Sequence, residues 1–157
     1  MTTAQDTKTL VIGSPAFAPG EVIPVTYTCE GENINPPLTI ENIPLGTKSL
    51  ALIIDDPDAD GRTFDHWLVW NIRPQEMILE NTVPGVEGRN GFAKSKYLGP
   101  CPPTGTHRYF FKVFALDALL NVRAGADKQQ LEQAMKQHIL AKGEMIGLYR
   151  KSKAKNE

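Results

Sequence analysis

Two histidines open apolar runs in this chain, Asp65-His66-Trp67-Leu68-Val69-Trp70-Asn71-Ile72 and His107-Arg108-Tyr109-Phe110-Phe111-Lys112-Val113. Each run follows a loop rich in Gly, Pro or Asp and reads as a β-strand. Side chains alternate across a strand, so His66 is expected on the face of Leu68, Trp70 and Ile72, and His107 on the face of Tyr109, Phe111 and Val113. Both imidazoles then sit where a core face begins. A third run, residues 50–54, carries the same phase into Asp56 of Asp56-Pro57-Asp58 and sets a carboxylate at its exit. Two imidazoles, carboxylates and a phenol at strand ends can line one pocket. Imidazole and phenol donate to an anion, and a carboxylate can hold an imidazole in its protonated form.

Short apolar segments at 10–12, 23–27, 38–40, 49–55, 65–72, 109–116 and 147–149 recur between Gly, Pro and Asn punctuation. That rhythm predicts an antiparallel β-sandwich, because a parallel sheet needs helical crossovers that this sequence hardly offers. One helix is expected. Asp127 and Gln130 resemble a capping box, Leu131, Met135 and Ile139 repeat at four-residue intervals with His138 at the edge of that face, and Gly143 suits the position past the C-terminus. The helix is expected across one edge or end of the sandwich. Residues 73–103 have a weak pattern and many Gly and Pro residues, and read as ordered functional loops.

At 157 residues the chain is expected to form a single domain over 1–157, with its core at about 8–150 and a frayed, basic tail at 151–157. The net charge of −1 and the scatter of the basic residues speak against a nucleic-acid partner. The first residues lack a basic and apolar leader and no run is long enough to span a bilayer, so a soluble, cytoplasmic protein without membrane insertion is expected. Cys29 and Cys101 are the two cysteines. In a reducing compartment both are expected as free thiols, paired only under oxidation.

Three ordered motifs carry a resemblance. Asp56-Pro57-Asp58-Ala59, Phe64-Asp65-His66-Trp67-Leu68-Val69-Trp70-Asn71 and Gly99-Pro100-Cys101-Pro102-Pro103-Thr104-Gly105-Thr106-His107-Arg108-Tyr109 closely resemble signatures of the phosphatidylethanolamine-binding protein family. The likeness is to its bacterial, Raf-kinase-inhibitor-like branch and runs from about Ser14 to Leu148, including Thr28-Cys29-Glu30-Gly31-Glu32-Asn33 and Gly143-Glu144-Met145-Ile146-Gly147. The resemblance implies a Greek-key β-sandwich of two antiparallel sheets with short peripheral helical turns and a small anion pocket at one end. It implies pocket residues Asp56, Asp58, His66, Pro102, Pro103, His107 and Tyr109, with Gly99 and Cys101 in the adjoining loop. It also implies phosphate-bearing or anionic ligands, a regulatory role of the kinase- or protease-inhibitor kind, and a homodimer, while Cys101, typical of the bacterial branch, speaks against transferring the kinase inhibition of animal members. Two departures stand out: Asp60 replaces a proline common in the family, and the chain ends soon after Tyr149, without the helix that borders the pocket in animal members. A more open pocket is expected.

The same residues allow other chemistry. Two histidines and a carboxylate can bind zinc or iron, and Cys101 near His107 offers a Cys–His nucleophile if its thiol pKa is lowered. Plainer roles compete: histidines merely bonded at the sandwich end, Asp56 and Asp58 in an Asx-type turn, Tyr109 and the other aromatics packed in the core, Cys101 a small half-buried thiol. The adopted reading is a non-catalytic, regulatory binding module for a small anionic or phosphorylated ligand, needing no cofactor or metal. Its alternative is a hydrolase or other enzyme using Cys101 and His107 or a His-bound metal. A third reading is a protein-interaction module that inhibits a kinase or protease through the pocket rim.

Overall fold

A computed structural model describes residues 7–152. Its strands are β1 (Lys8–Thr9), β2 (Val11–Gly13), β3 (Leu38–Glu41), β4 (Ser49–Asp56), β5 (Phe64–Ile72), β6 (Met77–Ile78), β7 (Val86–Glu87), β8 (His107–Leu116) and β9 (Ile139–Tyr149); α1 spans Lys128–Met135. They form a six-stranded sheet in the order β1-β9-β8-β4-β5-β7 and a three-stranded sheet in the order β2-β3-β6. Pairing is antiparallel except that β1 runs parallel to β9. β8 returns from far along the chain to lie beside β4, a non-local return of the Greek-key kind. The mainly β, antiparallel sandwich expected from the sequence is the fold.

β4 is buried along its whole length because a core lies on each of its faces. Leu50, Leu52 and Ile54 pack with Trp67, Val69, Tyr109 and Phe111 against Ile12, Leu38, Ile40 and Ile78 of the small sheet. On the opposite face Ala51 and Ile53 join Leu68 and Trp70 beneath Leu131 and Met135 of α1. The helix therefore covers the outer face of the large sheet, rather than an edge or end. A bare sheet face carrying three aliphatic residues and an indole would expose a large apolar patch, and α1 removes it from water.

Several sequence expectations are corrected here. The capping box of α1 forms, with the Gln130 amide donating to Asp127 Oδ1 and the Asp127 amide donating to Gln130 Oε1, both at 2.9 Å. The helix nevertheless stops at Met135. Ile139 opens β9 instead, because the long ladder to β8, from Leu116 opposite Ile139 to His107 opposite Tyr149, supplies backbone partners in place of those that more helix would have used. Gly143 is thus a strand residue, lying under the Leu10 carbonyl where a Cβ would overlap that backbone. His138 leaves the helix face and places Nδ1 2.7 Å from Asp117 Oδ1. Residues 23–27 form a 3₁₀ turn at Val25–Tyr27 rather than a strand, since Pro24 lacks a ladder donor and its carbonyl accepts from the Tyr27 amide at 3.1 Å. In the basic tail, Ser152 is tied by its amide to Glu30 Oε1 at 3.0 Å, and residues 153–157 lie outside the described ones, as do residues 1–6.

Gly143→Ala is expected to lower stability by about 1–3 kcal/mol, read as a shift in the chemical-denaturation midpoint. An unchanged midpoint would contradict the close approach of β1 to β9.

Candidate functional site

The register between β4 and β5 contains an irregularity that sets the site. Ile54 faces Trp67, and the next residue, Asp55, faces Asp65, so His66 is an extra residue on β5. Such a bulge reverses the inside–outside parity of everything beyond it. Trp67 and Val69 face the sandwich core on one side of the bulge, and Phe64 joins that face on the other. The expected grouping of His66 with Leu68 and Trp70 fails for this reason, since those two belong to the core under α1. A second register shift, between Leu50 and Leu52, spans Asn71, whose φ is +55°, and returns Ile72 to the sandwich core. On β8 the expected alternation holds, with Tyr109, Phe111 and Val113 on the sandwich side.

At the sandwich end these strands open a cleft of about 530 Å³. Its floor is Asp56, His66 and Tyr109, all buried, with His107 half-buried beside them. The rings step along it edge-to-face: Phe92 on Phe64 at 4.9 Å, Phe64 on His66 at 4.9 Å, His66 on Tyr109 at 5.2 Å. His66 Nδ1 lies 2.6 Å from the Leu98 carbonyl, and the Leu98 amide donates to the His66 carbonyl at 3.1 Å. A carbonyl only accepts, so Nδ1 carries the hydrogen and Nε2 is left toward the cleft. Burial holds the His66 pKa below its ordinary value, against the opposing pull of the Leu98 bond and the nearby aspartates.

His107 Nδ1 is 2.7 Å from Asp56 Oδ2, while Asp56 Oδ1 accepts from the Asp58 amide at 2.7 Å. Protonated, the ring is salt-bridged to Asp56 and has an Nε2–H left to donate. The Tyr109 hydroxyl is buried without a hydrogen-bond partner, alone in this among the buried side-chain atoms of the described residues. The Cys101 backbone is near enough to favour a phenolate but not placed for a bond, and burial and the Asp56 charge push the Tyr109 pKa well up. Tyr109 is therefore a standing phenol donor.

The opposite wall is the loop that carries Gly99 to Pro103, clamped to the turn at 28–33. The Gly99 amide donates to Asn33 Oδ1 at 2.8 Å, the Cys29 amide to the Pro100 carbonyl at 3.1 Å and the Tyr97 hydroxyl to the Tyr27 carbonyl at 2.7 Å. Gly99 is required there, because a Cβ would overlap the Tyr27 carbonyl and Asn33 Oδ1. Cys29 and Cys101 form a disulfide with their Cα atoms 5.5 Å apart, which corrects the expectation of free thiols. A sulfur held in that bond is no thiolate, so the Cys101–His107 nucleophile falls with it. Nor do three His, Cys, Asp or Glu side chains converge as metal ligands among the described residues.

A family model described as phosphatidylethanolamine-binding protein matches residues 13–150. The chain belongs to the phosphatidylethanolamine-binding protein family. A UPF0098 protein of Pyrococcus abyssi is 48% identical over 147 residues, covering 87% of this chain and 83% of the relative. One of Chlamydia pneumoniae is 43% identical over 150 residues, covering 88% and 97%. Among solved structures, a phosphatidylethanolamine-binding protein homologue of Chlamydia trachomatis is similar with a TM-score of 0.88 at 37% identity, over 93% of this chain and all of the other. Escherichia coli YbcL, described as a member of the mammalian family, follows at 0.83 and 30%, over 91% and 99%. None of these relatives is named as an enzyme.

Of the nine residues carried over by family resemblance, Asp56, His66, Gly99, Cys101, Pro102, Pro103, His107 and Tyr109 line the cleft. Asp58 does not. Both its oxygens turn to Arg108, accepting from Nε at 2.9 Å and from a terminal nitrogen at 2.8 Å, and this pairing pulls its pKa down to about 2. Sequence reasoning missed Arg62, Phe64 and Phe92, which also line the cleft. Phe64 lay in a quoted motif, but its side depends on the bulge. Phe92 is presented by buried Asn90, whose Oδ1 accepts from the amides of Phe92 and Lys94 at 2.9 and 3.1 Å; an Asx-turn signal at Asn90-Gly91 could have found it.

The lowered His66 pKa makes the folded chain bind fewer protons than the unfolded one in acid. Its stabilising contribution is complete above the unfolded value of about 6.5 and is lost as pH falls from there toward the folded pKa. His66→Gln is expected to flatten the stability profile between about pH 7 and pH 5 in urea unfolding. Parallel profiles for the two proteins would contradict a neutral, buried imidazole.

Proposed function

We propose that the cleft binds the head group of a small anionic ligand, a phosphoryl group above all, and that the protein is a non-catalytic binding module. The carrying observation is the Tyr109 hydroxyl, buried and unpartnered on the cleft floor beside His107. An orphaned buried donor costs about 1–3 kcal/mol, which an anionic oxygen in the cleft recovers. His107 in its salt-bridged form adds a second donor, and Arg62 at the exposed mouth supplies a cation. Phe64, Phe92, Pro102 and Pro103 line the rest with carbon, so an anion entering meets its donors with little competing water.

Absence of turnover is supported by the chemistry of the floor. Tyr109 stays a phenol, Cys101 is locked to Cys29, and Asp56 has both oxygens engaged, so no side chain is poised as a nucleophile. A regulatory role toward a kinase or protease would use the mouth, where Asp60, Arg62 and Phe92 surround the ligand entrance and a bound head group would alter the surface a partner meets. No helix among the described residues is long and apolar enough to cross a membrane. The disulfide fits an oxidising compartment better than a reducing cytosol, and so does not support the cytoplasmic setting expected from the sequence.

Calorimetric titration of inorganic phosphate and phosphoethanolamine into the native chain and into Tyr109→Phe tests this reading. The variant keeps the ring and loses only the oxygen, and its affinity is expected to fall roughly ten- to hundredfold. Equal affinities, or no binding to the native chain, would contradict it.

A further inference from the structure

We infer that the Cys29–Cys101 disulfide is a reversible redox site that latches the cleft wall: a small dithiol reduces it in the folded protein, and residues 101–106 then come away from the cleft while both sheets stay intact. The inference stands whatever the cleft binds.

The first support is access. Cys29 and Cys101 are both exposed, and both line the cleft. Neither belongs to the core between the sheets or to the core beneath α1, so a thiolate reaches the sulfurs without any opening of the sandwich. Exposed disulfides are the labile and regulatory ones, whereas structural ones resist reduction.

The second is what the bond holds. Upstream of Cys101 the wall is fixed without it: the Tyr97 hydroxyl donates to the Tyr27 carbonyl, the Gly99 amide to Asn33 Oδ1, and the Pro100 carbonyl accepts from the Cys29 amide. Downstream, His107 is held by Asp56, Arg108 by Asp58, and the ladder to β9 begins. Between these anchors no hydrogen bond among the described residues ties residues 102–106 to the rest of the chain. That segment carries Pro102 and Pro103, which close the cleft, and its only firm clasp is the disulfide at its head. At its other end Gly105 has a φ of +70° and open space where a Cβ would sit, which makes it a hinge next to β8. Once the bond is cut, the burial of Pro102 alone opposes the backbone entropy gained by the freed segment.

The exchange balances with a dithiol as the only co-reactant. One thiolate of the reductant attacks a sulfur of the pair, and a mixed disulfide forms as the Cys29–Cys101 bond breaks. The reductant's second thiolate then attacks the mixed disulfide and closes its own ring. Two electrons pass to the protein, and the two protons that the dithiol gives up end on Cys29 and Cys101.

Dithiothreitol added to the native chain in denaturant-free buffer makes the test, with alkylation and mass measurement following the thiols and ¹⁵N relaxation following the backbone. Both cysteines are expected to be reduced at a rate within about tenfold of that in the urea-unfolded chain. On reduction the order parameters of Thr104, Gly105 and Thr106 are expected to fall from about 0.85 to below about 0.6, with β4 and β8 unchanged and reoxidation restoring the first values. A chain carrying both Cys29→Ser and Cys101→Ser is expected to show the freed segment from the start and no response to dithiothreitol. Reduction no faster than global unfolding, an ordered segment after reduction, or collapse of the β4 and β8 signals on reduction would each overturn the inference, and none of these bears on anion binding by the oxidised protein.

Discussion

In an antiparallel ladder side chains alternate with a period of two, so His66 would point with Leu68 and Trp70 toward the face that α1 covers. One extra residue on β5, between the pairs Ile54–Trp67 and Asp55–Asp65, prevents this. Beyond it the parity of β5 is reversed, so Phe64 joins Asp56 at the sandwich end while Asp65 joins Asp55 on the outward face. There Lys128 bridges the two carboxylates, at 2.9 Å to Asp55 and 2.8 Å to Asp65, and Lys112 reaches Asp55 at 3.0 Å. Without the bulge Asp65 would turn toward the core and the cleft would lose its aromatic wall. β4 cannot slip to compensate, because both of its faces are packed.

On that frame the site is held by bonds that leave its chemistry free. Asp56, Leu98, Asn33 and the Cys29–Cys101 bridge each fix a wall without occupying the space between. Asp58 does the same at one remove: by holding Arg108 it fixes the start of β8, and with it the direction of His107 and Tyr109. The donors are then ordered before any ligand arrives, and binding does not bear the cost of arranging them. The orphaned Tyr109 hydroxyl is tolerable because the sandwich and the helix-covered core supply the stability that it forgoes.

The strands at 38–40, 49–55, 65–72 and 109–116 were legible because alternation, β-branched and aromatic residues and flanking turns all agree there. Local signals could not arbitrate where two structures compete for one segment. Residues 139–143 continue a helical repeat, and only the distant partner strand β8 decides for β9. A bulge leaves no mark in one sequence, so the face of His66 was misread even though its place in the cleft was implied by the motifs. Those motifs identified eight cleft residues but could not tell a lining carboxylate, Asp56, from one turned away, Asp58, because the two share a turn and differ only in their partners. The disulfide was legible only as an option under oxidation: 72 residues separate its cysteines, and only the docking of one loop on one turn brings them together.

The central claim is that two of the three histidines, anchored through Nδ1, turn Nε2 toward one anion-binding cleft. ¹⁵N-histidine NMR with and without inorganic phosphate tests it most directly, with His138, paired to Asp117 and absent from the cleft lining, as the internal reference. The account predicts a neutral His66 bearing its hydrogen on Nδ1, and saturable shifts of the Nε2 signals of His66 and His107 while His138 stays still. A His66 hydrogen on Nε2, or shifts no larger at the cleft histidines than at His138, would contradict it.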